Sequence, residues 1–285
     1  MSTALTIAET VQSAALRLRT HSESPRLDAE LLLGKVLGLS RASLIARDNQ
    51  SVAPDDELQL TQLILKRARG VPIAYLTGSR EFWSLTLTVT PDVLVPRPET
   101  ESLVQHALQL LPHEAACSVL DLGTGSGAIA LAIASERPRW SVTGVDLSPH
   151  ALTVAAQNSR ALKLPQITWR LGSWFEAVQG ERFHLIVANP PYIAAADPAL
   201  AKLTAEPAMA LSAGPTGLES LEAIVAQAPQ YLDAGGWLAL EHGCTQAPDV
   251  SRLLQQHGFA SVRTFPDFTG KLRVTLGVHT PQGTL

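Results

Sequence analysis

Cysteine is scarce: the 285 residues contain two, Cys117 and Cys244. Two thiols make no disulfide framework, which fits a reducing compartment, the cytoplasm. Each lies in an apolar stretch, so both read as buried structural thiols rather than reactive ones. Concentrated basic charge is lacking as well. The chain has 22 Lys and Arg against 26 Asp and Glu, a net charge of −4, with both signs mixed along its length. A nucleic-acid binder shows a basic footprint, so no direct nucleic-acid partner is expected. No basic segment followed by an apolar core opens the chain, and no signal peptide is read. The stretch 115–135 is apolar but carries Asp121 and three glycines, so it cannot be a membrane span. No His/Cys spacing suits a metal, and no internal repeat or long low-complexity tract is present. What remains is a chain long enough for a large core and more than one domain.

The first seventy-odd residues read as helices only. Thr6 with Glu9 makes a capping box, and Ile7, Val11, Ala14 and Leu18 recur at helical spacing. Ser24-Pro25 starts a second helix with Leu27, Leu31 and the residues around Val36 on its apolar side, ended by Gly38. Ser40 to Arg47 is a short third helix. Pro54 with three acids opens a fourth, which Lys66, Arg67 and Arg69 close before Gly70. The expectation is a small helical bundle over residues 1–78. From Glu81 to Val95 the pattern turns β-rich, with Pro91-Asp92 as a turn signal. A hairpin linker is expected over 79–96.

Beyond Pro112 strand and helix alternate. Strands are expected at 118–122, 141–145, 166–171, 184–188, 237–240, 259–265 and 272–278. Helices are expected at 128–136, 149–162, 218–232 and 250–257. Alternation of this kind means an α/β fold with a doubly wound, mostly parallel sheet of seven strands, assigned to residues 97–285. Residues 189–217 form a long irregular loop, a length that is usually functional or mobile.

Two motifs carry chemistry. Asp121-Leu122-Gly123-Thr124-Gly125-Ser126-Gly127 joins the first strand of the sheet to its helix, where glycines let a ligand approach the backbone. Asp146 ends the next strand, where a carboxylate can accept from a ribose hydroxyl pair. These two features alone suit a nicotinamide dinucleotide as well. The second motif is Asn189-Pro190-Pro191-Tyr192, after the buried strand His184 to Ala188. Two prolines stiffen the loop and leave its carbonyls free to accept. Asn189 adds a side-chain acceptor and Tyr192 a flat aromatic face. The natural guest is a planar NH2 group, held by two acceptors and covered by a ring.

An acidic-G-x-G-x-G loop, an acid after the second strand and N-P-P-Y after the fourth resemble the class I S-adenosylmethionine-dependent amino methyltransferases, with a Rossmann-like sheet. Together with Val95-Pro96-Arg97-Pro98-Glu99-Thr100-Glu101 and Glu241-His242-Gly243, they look like the release-factor glutamine methyltransferases (the PrmC/HemK family). The likeness covers nearly the whole chain. It implies transfer of a methyl group from S-adenosyl-L-methionine to N5 of the glutamine in the Gly-Gly-Gln motif of class I peptide chain release factors. S-adenosyl-L-homocysteine is then the product, no metal is needed, and translation termination is modulated. The helical domain would recognise the protein substrate.

By position, the resemblance implies that Gly123, Thr124, Gly125, Ser126 and Gly127 surround the methionine part of the cofactor. Asp146 takes the ribose, and Trp174 lies beside the adenine. Asn189 serves cofactor and substrate, with Pro190, Pro191 and Tyr192 on the substrate; Asn189, Pro190 and Tyr192 are the expected catalytic residues. Two departures stand out: Ser173, where the family often has Asp, and Ala205, where it usually has an aromatic. His242 reads as a packed strand end. The first alternative is a ribosomal protein glutamine methyltransferase, which shares N-P-P-Y but usually lacks R-P-E-T-E. A nucleic-acid amino methyltransferase ranks lower for want of a basic recognition surface. A nicotinamide dehydrogenase leaves N-P-P-Y unexplained, and a non-catalytic cofactor-binding module is disfavoured because the cofactor and amide sites are both complete.

Overall fold

The computed structural model describes residues 5–280. The outermost parts of both expected domains, 1–4 and 281–285, lie outside the described residues. The chain divides into two compact units, one made of Met1–Ser79 with Lys202–Ala205, the other of Arg80–Ala201 with Glu206–Leu285.

The first unit is helical: α1 Ile7–Leu18, α2 Pro25–Leu37, α3 Arg41–Ala46, α4 Pro54–Ala68 and α5 Ile73–Thr77. The capping box forms, with Glu9 N donating to Thr6 Oγ1 at 3.2 Å and Thr6 N donating to Glu9 Oε2 at 2.8 Å. Gly38 takes the left-handed conformation that ends α2 at φ 65°. Leu18, Leu32, Leu33, Leu44 and Ile64 make the core. The buried side of α2 is therefore Ala29, Leu32 and Leu33, not Leu27 and Leu31. Leucines surround this helix, so spacing could not choose its inward face. Asp28 and Glu30 share that face and are nearly buried. Arg67 holds Asp28 at 2.7 Å, while Arg26 and Arg41 hold Glu30 at 3.0 and 2.7 Å. Helix α5 was not expected; it is five residues long and starts from Val71-Pro72 without a side-chain cap.

A hairpin follows, β1 Ser79–Phe82 and β2 Leu85–Thr88, all but Ser79 in the second unit. Its turn is Trp83-Ser84, not Pro91-Asp92. Both residues have positive φ, 52° and 59°, the geometry of a two-residue primed turn usually supplied by Asn-Gly. The hairpin is anchored beside the sheet. Trp83 donates its backbone N–H to Glu101 at 3.0 Å and its indole N–H to Glu136 at 2.8 Å. Asn158 in the sheet's own helix layer both accepts from Thr88 N at 2.7 Å and donates to Thr88 O at 3.0 Å.

A 3-10 turn, Pro98–Thr100, leads into α6 Glu101–Leu110. Then follow β3 Ser118–Leu122, α7 Ala128–Glu136, β4 Ser141–Asp146, α8 Pro149–Ala161, β5 Thr168–Leu171 and β6 Phe183–Ala188. The series ends with α9 Glu219–Tyr231, β7 Leu232–Glu241, α10 Ala247–Gln256, β8 Phe259–Pro266 and β9 Leu272–His279. The strand order is β5-β4-β3-β6-β7-β9-β8, and β9 alone runs against the rest. Strand β7 begins five residues earlier than the expected Trp237, because Phe183 pairs with Leu232 before the register shifts to Leu185 and Trp237. Gly235 and Gly236 lie within this irregular stretch, Gly235 at φ 78°.

Successive strand residues point to opposite sides, as a pleat requires. Val119, Leu185 and Val187 join one core with α6 and α7; Leu120, Ile186 and Ala188 join the other with α9 and α10. Strand β3 is the hub. Leu122 pairs with Val145 of β4 on one side and with Ala188 of β6 on the other. The segments that follow these three strands leave the sheet at one level, where the strand order reverses and open α/β sheets bind ligands.

Candidate active site

Three segments meet at that level. The first is the glycine loop after β3. Gly123 N and Thr124 N both donate to Val145 O, at 2.9 and 3.0 Å, which folds the loop back over β4. Gly123, Gly125 and Gly127 all take positive φ, 70°, 56° and 83°, a path closed to most side chains. The glycines divide the work. Gly123 and Gly125 line a cavity of about 220 Å³, and a Cβ on Gly125 would meet nothing within 4 Å. Gly127 faces the protein instead: a Cβ there would stand 3.0 Å from Leu131 and Trp169. Thr124 and Ser126 also turn inward. Thr124 Oγ1 donates to Asp121 Oδ2 at 2.6 Å, and Ser126 O accepts from Asn158 Nδ2 at 3.0 Å.

The second segment is the end of β4. Asp146 accepts from Gly125 N and Ser148 N, both at 2.8 Å. Burial pushes its carboxyl above the usual range while these N–H groups pull it back. A carboxylate has about four lone-pair sites, so each oxygen can still accept from the cavity it lines. Asp121 lies deeper, fully buried, with Oδ1 lacking any hydrogen-bond partner and its pKa raised by burial to about 7. Trp174, after β5, lines the same cavity with its backbone at φ 45° and its ring 3.6 Å from where a Gly123 Cβ would lie.

The third segment is Asn189-Pro190-Pro191-Tyr192, after β6. Asn189 and Pro191 line the cavity; Pro190 is buried, and Tyr192 packs into the core on the α9 side of the sheet. Asn189 Nδ2 donates to Thr100 Oγ1 at 3.1 Å, which leaves Oδ1 available as an acceptor. Tyr192 Oη lies 3.5 Å from Glu241 Oε1, and burial followed by the Glu241 charge holds its hydroxyl protonated. Glu241, at the end of β7, is itself fully buried, and its pKa is raised by burial to about 7.

The long loop after this motif is tied down rather than free. Arg97 Nη2 donates to Glu206 Oε1 at 2.5 Å and Val95 N donates to Glu206 Oε2 at 3.2 Å. A parallel bridge between Ile193 and Ser212, with Ala195 N donating to Gly214 O at 2.7 Å, closes its base. Arg97, Pro207, Met209 and the cavity are thus linked through one carboxylate. Ala205 precedes that anchor, and Glu206 is held without an aromatic before it.

The structure therefore gathers Gly123, Gly125, Asp146, Trp174, Asn189 and Pro191 around one cavity. Thr124, Ser126 and Gly127 shape its floor from behind. Three polar residues of the site stood outside the sequence-based expectation: Asp121, Thr100 and Glu241. All three lie inside the quoted motifs, but only the fold reveals that their side chains are buried. His242 is fully buried, its Nδ1 on Gly243 O at 2.9 Å and its Nε2 on Thr275 Oγ1 at 2.8 Å, a packed strand end. Among the described residues no group of three or more His, Cys, Asp or Glu could hold a metal ion, and no helix is long and apolar enough to cross a membrane.

Similarity to known proteins follows the same division. The PrmC N-terminal domain family matches residues 9–78, and the methyltransferase small domain family matches residues 100–216. The release factor glutamine methyltransferase of Coxiella burnetii is 44% identical over 270 residues, 95% of this chain and 98% of that protein. The protein of the same name from Yersinia pestis is 49% identical over 260 residues, 90% of this chain and 94% of its own. A solved methyltransferase from Pyrococcus furiosus shares the fold, with a TM-score of 0.54 at 18% identity over 77% of this chain and 98% of that one. Identity at this level, sustained from the helical unit through the last strands, places this chain in the release factor glutamine methyltransferase family.

Proposed function

We propose that the protein transfers a methyl group from S-adenosyl-L-methionine to the side-chain amide nitrogen of the Gly-Gly-Gln glutamine in class I peptide chain release factors, in the cytoplasm. The observation that carries the reading is the placement of Asn189. It borders the cavity shared with Gly123 and Asp146 and keeps an uncommitted carbonyl oxygen.

The cavity fits the cofactor on three counts. Gly125 leaves open space where a side chain would stand. Asp146 has unspent acceptor sites for a hydroxyl pair. Trp174 lines the cavity with its ring 3.6 Å from where a Gly123 Cβ would lie, a flat face for a base. Gly123, Gly125, Asp146 and Trp174 would hold S-adenosylmethionine, which supplies an electrophilic methyl group on a sulfonium. The protein's own task is then positional. An amide nitrogen is a poor nucleophile because its lone pair is delocalised into the carbonyl. Asn189 Oδ1 and the Pro190 carbonyl would each accept a hydrogen bond from one of its two N–H groups, so that the lone pair points out of the amide plane toward the methyl group, and the nitrogen gives up one proton to solvent after transfer. Pro191 walls the site, and the Tyr192 ring limits how far the amide can turn. Holding the reacting atoms about 3–3.5 Å apart and in line is the larger part of such catalysis, and accepting charge as the nitrogen becomes positive adds to it.

The helical unit is assigned substrate recognition. It carries no catalytic constellation, and α1, α2 and α3 border an open groove of about 640 Å³ flanked by Leu16 and Ile45, each more than 60% exposed. Replacing both by lysine in the full chain should raise KM for the intact release factor and leave methylation of a short Gly-Gly-Gln peptide unchanged. Equal KM for the intact factor would remove this role.

The reading as a whole is tested by incubating the protein with labelled S-adenosylmethionine and a release factor, then locating the label. Methylation of the Gly-Gly-Gln glutamine is expected. Label appearing on a ribosomal protein glutamine or on nucleic acid instead would replace the substrate assignment. Asn189→Ala should lower turnover far more than cofactor affinity, since the acceptor is needed in the transition state.

A further inference from the structure

The Asn189 amide can work as an acceptor only if its carbonyl, not its NH2, faces the substrate. A primary amide is nearly symmetric in shape, so packing alone does not choose between the two orientations. The choice is made by the group behind it. That group is Thr100, 4% exposed and 3.1 Å from Asn189 Nδ2.

A threonine hydroxyl has one proton and can either donate or accept toward Asn189. Glu241 settles which. Its carboxyl is fully buried at the end of β7, beside the hydroxyls of Thr100 and Tyr192. Oε2 has no partner within hydrogen-bonding geometry, and Tyr192 Oη stands 3.5 Å from Oε1 at the outer limit of a bond. A carboxyl keeps an acceptor oxygen whether or not it is ionised, so the Thr100 proton is drawn toward Glu241. The Thr100 oxygen then presents only lone pairs to Asn189. The Asn189 NH2 must turn to Thr100, and Oδ1 turns away from it.

We propose that Thr100 and Glu241 are positioning residues for methyl transfer. Thr100, polarised by Glu241, fixes the Asn189 amide with its carbonyl presented to the substrate, and the same carboxylate holds the Tyr192 hydroxyl. One buried group thereby orients both ends of the Asn189–Tyr192 segment. It does so from a different strand, β7, which is hydrogen-bonded to β6 just before the motif through the Ala188–Leu240 pair. Burial raises the Glu241 pKa to about 7, Arg273, itself held by Asp267 at 3.3 Å, favours its charge and Glu99 opposes it. In either protonation state the carboxyl keeps an oxygen that can accept. The proposal rests on the methyl-transfer reading and adds to it two residues that touch neither cofactor nor substrate.

The test uses the full-length protein with Thr100→Val, Thr100→Ser and Glu241→Gln, alone and combined with Asn189→Ala. Valine keeps the shape of threonine and removes the hydroxyl; serine keeps the hydroxyl. Thr100→Val should lower kcat about tenfold or more with KM for the release factor and affinity for S-adenosylhomocysteine within about twofold, as loss of transition-state aim requires. Thr100→Ser should recover kcat to within about threefold of the parent, and Glu241→Gln should fall between the two. In the Asn189→Ala background Thr100→Val should have no further effect, because its route of action is gone. A second readout is independent of turnover: the Asn189 side-chain NH2, followed by nitrogen-15 NMR, should exchange its protons faster in Thr100→Val than in Thr100→Ser. Unchanged kcat in Thr100→Val, or the same loss in Thr100→Ser, would overturn the proposal while leaving the methyl-transfer reading intact. So would a loss fully additive with Asn189→Ala. An inactive parent protein that still shows the Thr100-dependent NH2 exchange would instead sink the reading of function and keep the geometry.

Discussion

Gly144 in β4 has no room for even a methyl group. A Cβ there would stand 2.4 and 2.6 Å from the Trp169 ring and 3.1 Å from Thr124 Oγ1. Gly144→Ala should therefore destabilise the protein by about 1–3 kcal/mol through overpacking, seen as a lower urea midpoint with an unchanged slope. The displaced Thr124 also holds Asp121, so affinity for S-adenosylhomocysteine should fall with it. Tyr192→Phe removes one hydroxyl donor from a buried carboxyl and keeps the ring. Turnover should drop less than for Tyr192→Ala, whose missing ring costs about 0.5–1.5 kcal/mol of aromatic contact beyond area. At this scale the sequence declared some roles and concealed others. Asp146 and Asn189 were legible because glycines and prolines beside strand ends restrict what the backbone can do. Asp121, Thr100 and Glu241 were not, because a carboxyl or hydroxyl looks the same in a sequence whether it faces solvent or, as here, a sealed interior. Gly127 was counted with the ligand glycines, yet its missing side chain serves the packing of α7 against Trp169 and Ala155.

Among the elements, α8 ends on an unusual residue. Lys163 is exposed and adopts φ 59°, while Leu164 N reaches back to Ser159 O at 2.9 Å in the manner of a Schellman end. That position favours glycine, since a Cβ in the left-handed region costs about 1–2 kcal/mol. Lys163→Gly should raise the urea midpoint by the equivalent of about 1 kcal/mol and leave activity unchanged. The loop between β6 and α9, besides its bridged base, is anchored by the Glu206 carboxylate. Glu206→Ala removes the acceptor for both Arg97 and Val95 N. Limited proteolysis should then cut within 193–216 much faster than in the parent; an unchanged cleavage rate would show that the Ile193–Ser212 bridge suffices. Element identity was broadly legible, and strand β3, helix α7 and the start of β9 fall at the expected residues, because each is bounded by glycine, proline or a change of period. The hairpin turn was not. Trp83-Ser84 carries none of the usual left-handed formers, and its conformation is imposed by Glu101 and Glu136, which bond it from 18 and 53 residues away.

Two fully buried carboxyls, Asp121 and Glu241, shape the response of the whole molecule to pH. Both have folded-state pKa values raised by burial to about 7, above ordinary values of 3.8 and 4.5. The folded state thus binds their protons more tightly than the unfolded state does. Their contribution to stability is fully present below the ordinary values and is lost as pH rises through about 7. Around Glu241 the opposing groups are Arg273, which favours the charge, and Glu99, which disfavours it. Glu241→Gln is neutral at every pH, so its stability relative to the parent should improve between pH 5 and pH 8, by a few kcal/mol at most. A pH-independent difference would mean that Glu241 titrates normally. The sheet order itself was legible only as a class. Alternating strands and helices imply a parallel sheet, but the antiparallel β9 and the central place of β3 follow from connections and pairing that no local pattern encodes.

The strand order has a further consequence for solubility. An open sheet ends in two rims, β5 and β8, whose unpaired backbone groups could recruit strands from other molecules. Neither rim is a usable template. Strand β5 is only four residues long, and its Arg170 folds over to Ala177 O at 3.0 Å and to Glu181. Strand β8 is interrupted by a register shift between Ala260 and Arg263, where Ser261 takes φ 49°, and it terminates at Pro266. Brevity guards one rim and a kink guards the other, so an enzyme whose interior is one continuous sheet remains a poor seed for fibrils.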